Sequence, residues 1–312
     1  MRPATRGLVE SEPLRGRGGQ RRLQLIAAGV CWLLAAARLG AEPASISRAS
    51  VLKNAAFRTP AGAPSVIVHA PPGWNPRAPL HLVVFLHGYN GCVNVLMAEG
   101  PSHCKPGAPE RDGWDLGTVH DAAGTNTLFV VPQLAFAQRN GDPGAFGTAG
   151  GFRAFLEELL RDGLGKQLGG ARRIKDVASL TLVAHSGAYQ AALAIAEQGG
   201  VRSQLKAIVL LDALYGETDR YAELVENWRG LRFVSLYLER GTPRTESQRL
   251  YERLSRSIGG DKVLRAPSNE LARAVVAHPI VFGLGRPPHR LLPQTHLAEL
   301  LRAFGQLYLP KR

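Results

Sequence analysis

A serine, an aspartate and a histidine stand at points of this chain where their side chains could work together. Ser186 follows the apolar segment 180–183, Asp212 follows the apolar segment 207–211, and His296 lies just before the last predicted helix. An imidazole can remove the proton of a serine, and a carboxylate on the other ring nitrogen holds the imidazole in the correct tautomer. The three residue types therefore predict acyl-transfer chemistry on Ser186.

The acid of this set has rivals. Asp212 directly follows a buried strand, so its side chain should project into the crevice at the carboxyl edge of the sheet. Glu239 follows the next predicted strand, but Arg240 and a glycine come after it, which is typical of a solvated turn. Asp219 is a further candidate. We expect Asp212 to be the acid.

The base also has rivals. His289 lies seven residues before His296 in the same Pro-rich region, and His278 precedes a proline. His296 lies just before the predicted closing helix, and we expect it to be the base. His289 is the alternative and His278 a weaker one.

The surroundings of Ser186 predict a strand, a tight turn and a helix. An apolar β-type segment precedes Ala184-His185-Ser186-Gly187-Ala188, and an Ala-rich helical pattern follows it. A serine at the apex of such a turn is strained, so the residues two before and two after must be small, as Ala184 and Ala188 are. Gly187 offers a backbone N–H in the first turn of the helix, where donors are unsatisfied.

This turn resembles the nucleophile elbow of the α/β-hydrolases. His87-Gly88-Tyr89, which follows the apolar segment 80–86, is similar to the oxyanion loop of the same family. The resemblance implies that the N–H groups of Tyr89 and Gly187 form an oxyanion hole. It covers about residues 66–309. The cysteine-bearing stretch after Gly88 is also similar to polymer and feruloyl esterases, whose substrates it does not imply.

Strand and helix patterns alternate along the chain. The expected strands are 65–70, 80–86, 127–131, 180–183, 207–211, 231–238 and 262–264, and the expected helices include 152–168, 246–258 and 297–307. This alternation predicts an α/β protein with a doubly wound, mostly parallel sheet and helices on both faces. We expect one hydrolase domain at 65–312, preceded by a leader segment at 42–64.

The first 41 residues predict an export signal. Basic residues precede the apolar run 23–37, and small residues follow it at Gly40 and Ala41. Gln20–Leu25 is similar to a twin-arginine motif, so a periplasmic or extracellular location is expected. A retained membrane anchor is the alternative. If the signal is removed on export, two cysteines remain, Cys92 and Cys104. An even number of cysteines in an exported protein predicts a disulfide.

Charge and composition restrict the partners. The net charge is +13, of which seven arginines and two glutamates in residues 1–41 contribute +5, so the remaining chain carries +8. A basic surface could contact an anionic cell surface. No nucleic-acid-binding motif accompanies it, so no nucleic acid is expected. No His-x-x-x-His or carboxylate cluster occurs, and we expect neither metal nor cofactor.

The sequence therefore predicts an exported serine hydrolase that cleaves an ester, or an amide, in a small molecule or polymer. The loops at 92–126, 133–151 and 266–295 would determine the substrate. A catalytically silent fold that binds the cell wall or the membrane surface is the alternative. In that case the serine turn is kept for structure only.

Overall fold

Near-continuous apolar segments form the centre of a nine-stranded sheet in the computed structural model, which describes residues 44–164, 172–286 and 288–308. The strands are β1 (Ile46–Ser50), β2 (Val66–Ala70), β3 (Leu80–Leu86), β4 (Ser102–His103), β5 (Glu110–Arg111), β6 (Leu128–Pro132), β7 (Val177–His185), β8 (Leu205–Leu211), β9 (Arg232–Tyr237), β10 (Val263–Ala266) and β11 (Ile280–Leu284). Strands β4 and β5 form a separate two-stranded hairpin.

The large sheet has the order β1-β2-β6-β3-β7-β8-β9-β11-β10. The pairs from β6 to β10 are parallel, whereas β1 and β2 run antiparallel at one edge. Every residue of β3 is buried, as expected for a parallel strand that is covered on both faces. Parallel strands end at the same edge, so the residues after β3, β6, β7 and β8 come together there.

Within the described residues, eight α-helices cover the two faces. They are α1 (Val93–Met97), α2 (Leu116–Asp121), α3 (Gly151–Glu158), α4 (Tyr189–Gln198), α5 (Thr218–Asn227), α6 (Thr242–Ser257), α7 (Leu271–Ala277) and α8 (Leu292–Tyr308). Helices α3 to α6 contribute to one buried apolar cluster, and α1, α2, α7 and α8 contribute to a second cluster on the opposite face. The predicted α/β class, with a mostly parallel sheet and helices on both faces, is confirmed.

Several segments differ from the sequence expectation. The segment 42–64 contains β1, which pairs with β2 over five residues, so the expected leader contributes a strand to the sheet. The region expected to be a long connection contains α7 and β11. The closing helix α8 begins at Leu292, so His296 lies inside this helix.

The described part of the chain has no helix that is both long and apolar enough to cross a membrane. The predicted export signal at 1–41 lies outside the described residues.

Candidate active site

Ser186 lies at the apex of a turn between β7 and α4. Its backbone φ is +58°, in the left-handed region that non-glycine residues rarely adopt. Strain of this kind persists only where the surrounding structure holds it, and it is common at reactive residues. The neighbours Gly187 and Ala188 are buried, and a short 3-10 turn, Ser186–Ala188, leads directly into α4. The structure therefore gives Ser186 the elbow geometry that the sequence predicts.

Asp212 follows β8 directly and is also left-handed, with φ +46°. Its N–H donates to the Leu236 carbonyl at 2.7 Å, and its Oδ1 accepts from the Leu238 N–H at 3.2 Å. Both partners belong to the β9 region, so the aspartate is held between two neighbouring strand ends. Its side chain is 5% exposed, and such a buried carboxylate needs a further partner.

That partner is His289. Its Nδ1 lies 2.6 Å from Oδ2 of Asp212. His289 begins a short 3-10 turn, His289–Leu291, just before α8. The imidazole is 37% exposed while the carboxylate is buried, so the acid holds one side of the ring and solvent reaches the other. A carboxylate on Nδ1 leaves Nε2 as the nitrogen that can exchange a proton with a substrate or nucleophile.

The structure does not bring His296, the favoured base, to Asp212. His296 lies in α8 and faces the interior, where its Nδ1 is 2.5 Å from Oε1 of Glu299. Its Nε2 is buried without a partner among the described residues. The physical reason is the early start of α8, which places position 296 on the buried face of the helix. The histidine that contacts Asp212 is His289, the alternative base.

The other rivals lie elsewhere. Glu239 is exposed, and Asp219 forms surface ion pairs with Arg249 and Arg253. His278 lies after α7, with its Nδ1 3.1 Å from the Asp261 carbonyl.

The loop after β3 lies directly against the nucleophile turn. A Cβ added to Gly88 would lie 2.5 Å from Cβ and 3.0 Å from Oγ of Ser186, so only glycine fits here. The ring of Tyr89 packs on Gly187 as closely, since a Cβ at Gly187 would lie 2.2 Å from it. Among the described residues the N–H of Tyr89 has no acceptor. The N–H of Gly187 lies in a first helical turn, where donors are free.

His87 and Gln133 hold this loop in place through hydrogen bonds. The role of Gln133 was not predicted from the sequence. His87 is buried, its Nδ1 donates to the Gly88 carbonyl at 2.9 Å, and its Nε2 accepts from the Leu134 N–H at 3.0 Å. Gln133 donates to the same Nε2 at 2.8 Å and to the Gly91 carbonyl at 3.2 Å. Burial lowers the pKa of His87 to about 4, so the ring stays neutral with one donor and one acceptor. The only sequence signal for Gln133 was its position directly after a buried strand.

His185 connects the nucleophile turn to the base. Its Nε2 donates to the His289 carbonyl at 3.0 Å, and the two rings lie 4.6 Å apart. Trp114 packs edge-on against His185 at 5.4 Å. Burial, and to a lesser extent His289, lowers the pKa of His185 to about 3, so it stays neutral. The residue before the nucleophile therefore holds the backbone of the base.

The predicted disulfide is present in the structure. Cys92 and Cys104 form a disulfide with an S–S distance of 2.06 Å. The loop that contains them continues to Asp112, whose carboxylate and carbonyl accept from Arg290 at 3.3 and 3.1 Å. Arg290 follows His289, so this loop contacts the turn that carries the base.

The arrangement has the parts needed for acyl transfer. A strained serine, a histidine on a buried carboxylate and two backbone donors lie at one edge of the sheet. No hydrogen bond joins Ser186 to His289 within the described residues, and such contacts commonly tighten only when substrate binds. The Tyr215 side chain lies beside Ser186; burial raises the pKa of its hydroxyl, and the contact with Ser186 opposes that rise.

No family model matches the chain, and no curated protein gives a significant sequence match. Solved structures do match. A ferulic acid esterase superposes with a TM-score of 0.53 at 12% identity, covering 85% of this chain and 99% of the other. The feruloyl esterase module from Clostridium thermocellum gives a TM-score of 0.51 at 9% identity, covering 87% and 98%. The chain has the α/β-hydrolase fold.

Proposed function

We propose that this chain hydrolyses carboxylic esters through an acyl-enzyme on Ser186, with His289 as the base and Asp212 as the orienting acid. The observation that carries the proposal is the 2.6 Å contact between Nδ1 of His289 and Oδ2 of Asp212, at the strand edge where Ser186 adopts its left-handed turn. This pairing replaces the combination with His296 that the sequence favoured.

In the proposed reaction, Oγ of Ser186 attacks the ester carbonyl carbon while its proton passes to Nε2 of His289. The carbonyl electron pair moves to oxygen, where the N–H groups of Tyr89 and Gly187 stabilise the negative charge. When the tetrahedral intermediate collapses, the bond to the alcohol oxygen breaks and the histidine returns the proton to that oxygen. Water then repeats the sequence on the acyl-enzyme and releases the acid. Each backbone donor of this kind contributes roughly 3–4 kcal/mol to the transition state.

Two exposed aromatic rings lie beside the reacting serine. Tyr89 is 46% exposed and packs on Gly187, and Tyr215 is 40% exposed and lies beside Ser186. Exposed tyrosines offer flat apolar surface with a polar end, which suits an aromatic or unsaturated acyl group. The names of the matching structures, feruloyl and ferulic acid esterases, support esters of aromatic acids as the first substrates to test.

A fluorophosphonate probe tests the function, since it labels only an activated serine. We expect labelling of the wild type and none of Ser186→Ala. Esters of graded acyl length, a methyl hydroxycinnamate and a peptide amide then define the preference. The alternative, a silent fold that binds the cell wall or membrane surface, would give a folded chain with no labelling and no turnover on any ester.

Export remains part of the proposal. The apolar run at 23–37 between arginines and small residues supports cleavage near Ala41. The intact mass of protein recovered outside the cytoplasm decides this point, because a retained anchor would leave the full 33.6 kDa chain. The charge of +8 after residue 41 supports contact with an anionic surface, which salt-dependent co-sedimentation with anionic vesicles would measure.

A further inference from the structure

Two histidines and an aspartate gather beside β2, away from the esterase site. His69 belongs to β2, and His120 and Asp121 end α2. One nitrogen or oxygen atom from each lies within 4.8 Å of those from the other two. His69 pairs with Phe129 near the start of β6, so the cluster lies toward the opposite end of the strands from Ser186.

In each histidine, one ring nitrogen lies within hydrogen-bond distance of a side-chain hydroxyl group. Nδ1 of His69 lies 2.8 Å from Oγ of Ser47, and Nε2 of His120 lies 2.8 Å from Oγ1 of Thr127. The other nitrogen of His69, Nε2, is 2.7 Å from Oδ1 of Asp121. In metal sites the nitrogen that does not bind the ion is held in this way by an outer partner, which fixes the tautomer and the ring orientation.

The other ring nitrogen of His120 has no such hydrogen-bond partner among the described residues. Its Nδ1 is completely buried and has no partner among the described residues. The ring stacks on Phe129 at 5.1 Å, which fixes its orientation but satisfies no polar atom. A buried polar atom without a partner is costly, and an unassigned ion is one of its ordinary explanations.

We propose that His69, His120 and Asp121 bind one divalent zinc ion, through Nε2, Nδ1 and a carboxylate oxygen respectively. Two imidazoles and a carboxylate are ligands that Zn²⁺ commonly takes, and three protein ligands leave a fourth position for water. A cavity of about 280 Å³ has Asp121 in its wall, so the carboxylate is the proposed ligand that borders this cavity.

The geometry requires only a local adjustment. Bonds of about 2.0–2.1 Å in a tetrahedral site place ligand atoms roughly 3.3 Å apart. The His69–Asp121 pair, at 2.7 Å, must open slightly, and the widest separation, at most 4.8 Å, must close by no more than about 1.5 Å. The side chain of Asp121 is 22% exposed and that of His69 is 4% exposed, so the aspartate has more freedom to adjust than His69.

The proposed ion would join β2, which lies between the edge strand β1 and β6, to the end of α2, which leads into β6. This site could not be predicted from the sequence, because the ligands come from two distant segments without a metal-binding spacing. This inference does not depend on the esterase proposal, since the three residues take no part in that chemistry.

The test uses the tag-free chain, stripped with a chelator and then titrated with Zn²⁺. We expect one zinc per chain by elemental analysis, a rise in Tm on addition of zinc, and an anomalous peak at the zinc edge between the three side chains. Asp121→Asn should weaken zinc binding by more than tenfold. Ser47→Ala, an exposed change in the outer contact of His69, should weaken it 10- to 100-fold.

His103→Gln is the matched control, because His103 and Glu110 form an exposed histidine–carboxylate pair with atoms 4.0 Å apart. This variant should bind zinc as the wild type does. Absence of retained zinc, an anomalous peak at another site, or unchanged affinity in both Asp121→Asn and Ser47→Ala would overturn the proposal. The cluster would then be an ordinary buried histidine–aspartate pair.

Discussion

Replacing His289 by asparagine separates the two candidate bases with little disturbance of the fold. Asp212 is buried, and removing its partner entirely would leave an unpaired buried charge, which costs about 3–5 kcal/mol. The asparagine amide can still donate to Oδ2 from near the position of Nδ1, so this cost is largely avoided. What is lost is Nε2, the nitrogen that accepts the serine proton.

The expected loss of turnover is large. Removal of the base of a serine–histidine pair costs about a million-fold in kcat where it has been measured. A million-fold loss corresponds to about 8 kcal/mol of transition-state free energy. Asp212→Asn, which leaves the base in the wrong tautomer, should cost about ten-thousand-fold. Because these residues act as a unit, the double variant should lose little more than His289→Asn alone.

His296→Asn is the matched control. The asparagine can keep a hydrogen bond to Glu299, and no contact joins this position to Asp212, so turnover should stay within a few-fold of wild type. Initial rates on a p-nitrophenyl ester, with Tm measured for each variant, provide the comparison. If His289→Asn kept more than about a thousandth of the wild-type turnover while a folded His296→Asn lost it, the assignment of the base would be wrong.

Three further outcomes follow from the structure. The double variant Cys92→Ala/Cys104→Ala opens a loop of 12 residues, so urea denaturation should show a loss of about 3 kcal/mol in unfolding free energy. Gly88→Ala should lower kcat about 100- to 1,000-fold by moving the Tyr89 N–H, whereas Gly100→Ala, with open space around it, should not. His87 and His185 have folded pKa values of about 4 and about 3, below the unfolded value of 6.5. The unfolded chain therefore binds more protons below pH 6.5, and unfolding free energy should fall toward acid, by roughly 2 kcal/mol for each residue at pH 5; His87→Gln should flatten this dependence.

The buried strands could be predicted because both faces of the sheet are covered. A strand buried on both faces is a continuous apolar run, and β3 matches its predicted bounds, 80–86. Strands with mixed character were harder to identify. The exposed edge strand β1 was expected to be a leader, and β11, which contains a glycine, was expected to be loop. Edge strands take their stability from a neighbour that local sequence does not reveal.

Ser186 could be identified because its reactivity requires a local strand–turn–helix pattern. The acid could be ranked, since directly following a buried strand is also a local property, and Asp212 is the residue that meets a histidine. The candidate bases could not be ranked correctly from the sequence. His289 and His296 belong to one Pro-rich region, and only the start of α8 distinguishes them. Pro293 was an available signal. Proline is tolerated in the first turn of a helix, so a helix beginning at Leu292 would place His296 in its interior.

Polar contacts of the disulfide-bearing loop reach the turn that carries the base. Asp112 accepts from Arg290, and Trp114 packs on His185, whose Nε2 holds the His289 carbonyl. The exposed arginine pair contributes at most about 1 kcal/mol, whereas the bond from His185 is at least partly buried and cannot easily be replaced by water. Of these two contacts, the hydrogen bond from His185 therefore contributes more to the placement of the His289 backbone. Because the same short segment carries Ser186 and holds the backbone of His289, a shift of the turn moves both together, which keeps their relative geometry.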